Sequence, residues 1–189
     1  TRCTFTASNT TAYETEKEML WYGGILAVAG TTATITDSTF VGGVARYGGA
    51  IGTCSSKAVV NISDTSFSGG NGWYGGAIGA SLGKVNAENC TFADSTAVYG
   101  GAVAACEGGA VALTDCAITD ATSTTRGGAL YVYAGSPANS IEMTNTTVTG
   151  CSSKQGGALA VHGKGNVTIN GGDIWGRGWD NWTLITRVP

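Results

Sequence analysis

Proline is almost absent from this chain of 189 residues: there are 2, against 31 glycines. Histidine occurs once, at His162, and charged residues make up only 12% of the sequence. Each shortage excludes something. Few prolines beside 42% hydrophobic residues argue against a disordered or proline-rich linker. Low charge, with a formal net of −3 and no basic stripe, makes nucleic acid and anionic lipid poor partners. No apolar run approaches the roughly 20 residues that span a bilayer. The cysteines form no Cys-x-x-Cys pair, so zinc is not expected, and neither is any other metal or cofactor. No leader is visible; the chain opens in mid-pattern at Thr1 and reads as a piece of a longer protein.

What is present is a repeat. Gly-Gly pairs begin at Gly23, Gly48, Gly75, Gly100, Gly127 and Gly156, at intervals of 25, 27, 25, 27 and 29 residues. A second landmark stands 8 residues before a pair at Phe40, Phe67, Phe92 and Val148, and 9 before at Ile118. Phe5 is the same landmark, displaced by an insertion over about residues 7–22. Between pair and landmark lie alternating segments such as Thr34-Ile35-Thr36 and Val60-Asn61-Ile62, whose period of two marks a strand with one face in and one out. A unit of 25–29 residues is too short for a helix plus a strand and suits three short strands and three turns. The pattern therefore predicts an all-β parallel β-helix of about seven coils over residues 1–174. Residues 175–189, with Trp175, Trp179 and Trp182, are expected to cap it or to lead into further coils.

The Gly-Gly-Ala-Ile/Leu/Val tetrapeptides, Ser-Thr-Phe at 38–40 and Cys-Thr-Phe at 3–5 and 90–92 resemble the repeats of polymorphic outer-membrane proteins. They also resemble the wider pectin-lyase-like β-helix surface proteins of bacteria, archaea and algae. The resemblance implies a right-handed β-helix used in adhesion or extracellular structure.

Several residue sets are candidates for function. Six of the ten asparagines head an Asn-x-Ser/Thr triplet: Asn9, Asn61, Asn89, Asn145, Asn166 and Asn181. With an even number of cysteines, 6, they favour a secreted glycoprotein at the cell surface or outside it. Cys90 and Cys116 each stand two residues before a landmark in adjacent coils, so a disulfide between them is expected. Asp37, Asp64, Asn89, Asp115 and Asn145 stand three before the landmarks. They suit a ladder of turns, because short polar side chains tolerate the left-handed conformation; calcium binding and catalysis are the lesser readings. Tyr22, Tyr47, Tyr74 and Tyr99, with Trp21 and Trp73 beside them, precede Gly-Gly pairs and should line one edge. That edge is either a stabilising stack or a platform for a glycan or protein partner. After each pair come small residues at positions expected to face outward, among them Ala50, Gly52, Ala77, Gly79, Ala102, Ala104, Ala158 and Ala160. This flat face is either a packing surface for a neighbouring chain or a requirement of the turn.

Two functions follow. One is a structural or adhesive module without catalysis, packed against protein neighbours or surface glycans. The other is a carbohydrate-active enzyme on the same fold.

Overall fold

The computed structural model of the chain describes residues 3–7, 21–134 and 139–178. Strand β1 is Cys3–Ala7. The next coil contains β2 (Leu26–Val28), β3 (Thr32–Thr36), β4 (Ser38–Gly42) and β5 (Val44–Tyr47). It is followed by β6 (Ile51–Thr53), β7 (Val59–Ser63), β8 (Ser66–Ser68) and β9 (Asn71–Tyr74). Then come β10 (Ile78–Ser81), β11 (Lys84–Glu88), β12 (Thr91–Ala93) and β13 (Thr96–Tyr99). The fourth such coil is β14 (Val103–Cys106), β15 (Ala110–Thr114), β16 (Ala117–Thr119) and β17 (Thr122–Arg126). The last two have three strands each: β18 (Leu130–Ala134), β19 (Ser140–Thr144) and β20 (Thr147–Ser153), then β21 (Leu159–Gly163), β22 (Asn166–Asn170) and β23 (Ile174–Gly178).

Corresponding strands pair in parallel, each with its counterpart one coil away. One six-stranded sheet runs β2-β6-β10-β14-β18-β21 and another runs β3-β7-β11-β15-β19-β22. The third wall, of eleven strands, joins the landmark strands and the strands before Gly-Gly through the long β20. The expected count of three strands per coil is thus four in the four coils from β2 to β17. The extra strand was hidden because its small and polar residues, as in Asn71-Gly72-Trp73-Tyr74, show no clear alternation. The expected seven coils are about six: the landmark row has seven strands, but the other two sheets have six each.

The core consists of stacks. The landmarks align as Phe5, Phe40, Phe67, Phe92, Ile118, Val148 and Ile174. Phe40, Phe67 and Phe92 are 0–1% exposed, and successive phenylalanine rings from Phe5 onward lie 4.7–4.9 Å apart, nearly parallel. Stacked aromatic pairs of this kind add about 0.5–1.5 kcal/mol each beyond the area they bury. Facing them are Ile51, Ile78, Val103 and Leu130 from the first sheet and Val60, Val85, Val111 and Ile141 from the second. Each coil therefore completes its neighbour's core. Most of the projecting insertion expected near residues 7–22 lies outside the described residues, as does the tryptophan-rich tail beyond Gly178.

Candidate functional site

The aromatic edge is continuous. Tyr22, Tyr47, Tyr74 and Tyr99 stack with ring centroids 5.2–5.3 Å apart. In the next coil Arg126 takes the tyrosine's place, as the pairing of Tyr99 with Arg126 shows. Tyr131 then fills the gap from the adjoining strand, 5.0 Å from Tyr99, at a position that is Gly52, Gly79 or Ala104 in earlier coils. Tyr133 and His162 prolong the row at 6.4 and 5.5 Å. The loss of one large ring is thus matched by the gain of another beside it. Sequence reasoning missed Tyr131 and Tyr133, although a tyrosine in an Ala/Gly register was the available signal.

These rings lie against the protein rather than standing free. Tyr47 is 3% and Tyr131 2% exposed, while Tyr22, Trp73, Tyr74 and Tyr99 are half-buried. Trp21, at the end of the row, is 60% exposed, with the Arg46 guanidinium 4.6 Å from its ring and 5.3 Å from that of Tyr47. The Tyr47 hydroxyl donates to Glu107 at 2.8 Å, and Ser81 donates to the other oxygen of that carboxylate at 2.7 Å. Burial, then the bond to Glu107, pushes the Tyr47 phenol well above its usual range.

This edge explains the small residues after Gly-Gly and corrects the expectation of an open packing face. Ala50, Ala77, Ala102 and Ala158 are 0–4% exposed within the chain and belong to the core, because the strand bends as it leaves the turn. Ala50 and Ile51 both donate to the carbonyl of Ala77, which marks that bend. Gly52 and Gly79 are buried under the preceding turns, and Ala104 is buried against the tyrosines. A Cβ on Gly79 would sit 2.2 Å from the Gly48 nitrogen and 2.5 Å from the Tyr47 carbonyl carbon. Ala160, near the other end, is half-buried and packs against the same tyrosine cluster.

The second feature is a polar corner. Asp37, Asp64, Asn89, Asp115 and Asn145 all have φ between 47° and 51°. This left-handed backbone favours Asp and Asn over most other side chains. They also bond along the ladder: Asn89 Nδ2 donates to Asp64 at 2.6 Å and Asn145 Nδ2 to Asp115 at 3.2 Å. Asp37, Asp64 and Asn89, with Thr39, Ser66 and Thr91, line a shallow groove of about 440 Å³.

Just inside this corner runs a slot occupied by Ser38, Thr65, Cys90, Cys116 and Thr146, all buried. Each side-chain oxygen or sulfur lies 2.7–3.2 Å from the carbonyl two residues earlier. A thiol stands here as a hydroxyl does. The expected Cys90–Cys116 disulfide is absent: both are free thiols. The two are neighbours and hydrogen-bond to each other. That contact pulls Cys90 down and pushes Cys116 far up. In this ladder each sulfur is also held by the carbonyl two residues earlier, Cys90 by Glu88 and Cys116 by Thr114, both at 3.2 Å.

Of the sequon asparagines, Asn89, Asn145 and Asn166 are exposed and Asn61 is half-buried; Asn9 and Asn181 lie outside the described residues. Among the described residues no three of His, Cys, Asp and Glu are grouped as a metal would require, and no helix is long and apolar enough to cross a membrane. Arg126 is half-buried and donates from Nε to Gln155 at 2.7 Å.

A family model described as the right-handed β-helix region matches residues 1–174. No curated protein and no solved structure matches the chain. The match covers the whole repeat and agrees with the stacked parallel sheets, so the chain belongs to the right-handed β-helix family.

Proposed function

We propose that this chain is a non-catalytic, extracellular rod, a structural or adhesive module of a larger surface protein or filament. The observation that carries the reading is that its polar groups repeat coil by coil. The acids and amides of the corner share one left-handed backbone conformation and one register, and Asn89 and Asn145 each bond to the aspartate of the preceding coil. Turn geometry accounts for them, whereas a catalytic set is a local constellation that differs from its surroundings. Surface labelling of intact cells, with protease shaving, tests the location of the full-length protein. Recovery only from the cell interior would overturn it.

A second reading rests on the groove beside Asp37 and Asp64, two carboxylates on adjacent coils. On this reading the chain is a carbohydrate-active enzyme, since a pair of carboxylates is what glycoside hydrolysis uses. A panel of neutral and acidic polysaccharides decides between the two. Release of reducing or unsaturated ends that is lost in Asp64→Asn would establish the enzyme; no release supports the rod.

A further inference from the structure

We infer that Asn89, Asn145 and Asn166 carry N-linked oligosaccharides and that Asn61 does not. The inference rests on the extracellular reading above and adds a modification pattern to it. Sequon frequency alone does not distinguish the sites; their places in the coil do.

Asn89 and Asn145 sit at the exposed left-handed corner, where the backbone turns away from the sheets. Their hydroxyl partners two residues on, Thr91 and Thr147, are exposed as well. Each amide uses Nδ2 to donate to a carboxylate one coil away, Asp64 and Asp115 respectively. A primary amide has two N–H groups. In the transfer, the amide nitrogen forms a bond to C1 of a lipid-diphosphate-linked oligosaccharide. The C1–oxygen bond to the diphosphate breaks, the lipid diphosphate departs, and one amide proton passes to a base of the transferase. The second N–H remains and keeps the bond to Asp64 or Asp115. The ladder therefore survives the modification. The two sites are two coils apart, roughly 9.6 Å at the usual strand spacing, with Asp115 on the coil between them. Asn166 opens β22, the edge strand of its sheet, and is exposed with Thr168.

Asn61 differs. It lies in the middle of β7, half-buried, and its Oδ1 accepts from Asn86 Nδ2 at 2.8 Å. It lines a shallow groove on the outer face of this sheet together with Thr34 and Asn86. Neighbouring strands flank it on both sides at roughly 4.8 Å, so a sugar on its Nδ2 would crowd Thr34 and Asn86, the side chains in register with it on the two adjacent coils.

The test uses the full-length protein isolated from its native source. It is treated with peptide N-glycosidase in heavy-oxygen water, so that each glycosylated Asn becomes labelled Asp, and mapped by mass spectrometry. Label at Asn89, Asn145 and Asn166, with Asn61 bare, is the expected result. Bare Asn89 and Asn145 in protein that surface proteolysis reaches on intact cells would overturn the glycan pattern and leave the extracellular reading standing. Label at Asn61 would overturn the geometric selection. Bare sites throughout, in protein that shaving never reaches, would sink both.

Discussion

Tyr47 and Glu107 are joined by a 2.8 Å hydrogen bond across 60 residues, two coils apart along the rod. Glu107 has a φ of 54°, a strained conformation for a glutamate. Its carboxylate accepts from both Tyr47 and Ser81, so three coils are tied at one point. Tyr47→Phe keeps the ring stack and removes one donor to a charged acceptor, and should cost about 1.5–3 kcal/mol. Glu107→Gln turns an amide NH₂ toward one of two donors and should cost a similar amount. Urea unfolding of the two single variants and the double variant measures the coupling; strictly additive costs would show that the bond carries no stability.

The landmark ladder makes a sharper distinction. Phe67 is 1% exposed between two stacked rings, so Phe67→Ala should cost about 3–5 kcal/mol. Phe92→Ile should cost less than about 1.5 kcal/mol, because its neighbour Ile118 already fills the same place in the next coil. Equal losses in the two variants would mean that ring stacking, not volume, governs the row.

The repeat was legible in the sequence because a solenoid writes its period directly into Gly-Gly and Phe. The inward stacks followed from alternation. What was not legible depends on contacts that cross coils out of phase. Tyr131 compensates for Arg126 from a different strand, and Glu107 reaches a tyrosine two coils away. The face after Gly-Gly was misread for the same reason. Small residues say that something lies close, but not whether it is another chain or the protein's own Tyr-Gly turn. At the cysteines, adjacency was read correctly; the local carbonyl bonds that direct each thiol were not.

Alkaline pH should expose the buried thiols. Cys151 is fully buried, and burial pushes its thiol up to about 11. An unfolded cysteine titrates near about 8.5. The native state therefore keeps its proton where the unfolded chain gives it up. The stabilisation is whole below about pH 8.5 and is lost as pH rises toward about 11. Cys151→Ser should fit, because Ser95 holds the equivalent corner two coils away. It should flatten the fall in stability across that window by up to about 3 kcal/mol. Denaturant midpoints measured through the window give the slopes, and identical slopes would count against a raised Cys151.

The most discriminating variants lie under the tyrosine edge. If small residues after Gly-Gly served a neighbouring chain, charges at Ala77 or Ala102 would spoil assembly and spare the fold. The structure argues the reverse. Both side chains are 0–1% exposed inside one chain, so Ala77→Asp and Ala102→Asp bury an unpaired carboxylate and should cost about 3 kcal/mol or more. Gly79→Ala should be comparably damaging, because the added Cβ meets the backbone of Tyr47 and Gly48, which a side-chain rotation cannot move aside. Ala27 supplies the control. It pairs with Gly52 in the same register but is exposed in the first coil. Ala27→Lys should therefore change stability by no more than about 0.5 kcal/mol. Thermal unfolding of the isolated chain at low concentration, beside its sedimentation, separates the two accounts. Loss of the folded monomer in the Ala77, Ala102 and Gly79 variants, with Ala27→Lys intact, is the outcome the burial dictates. Folded variants that differ only in association would return this face to a partner.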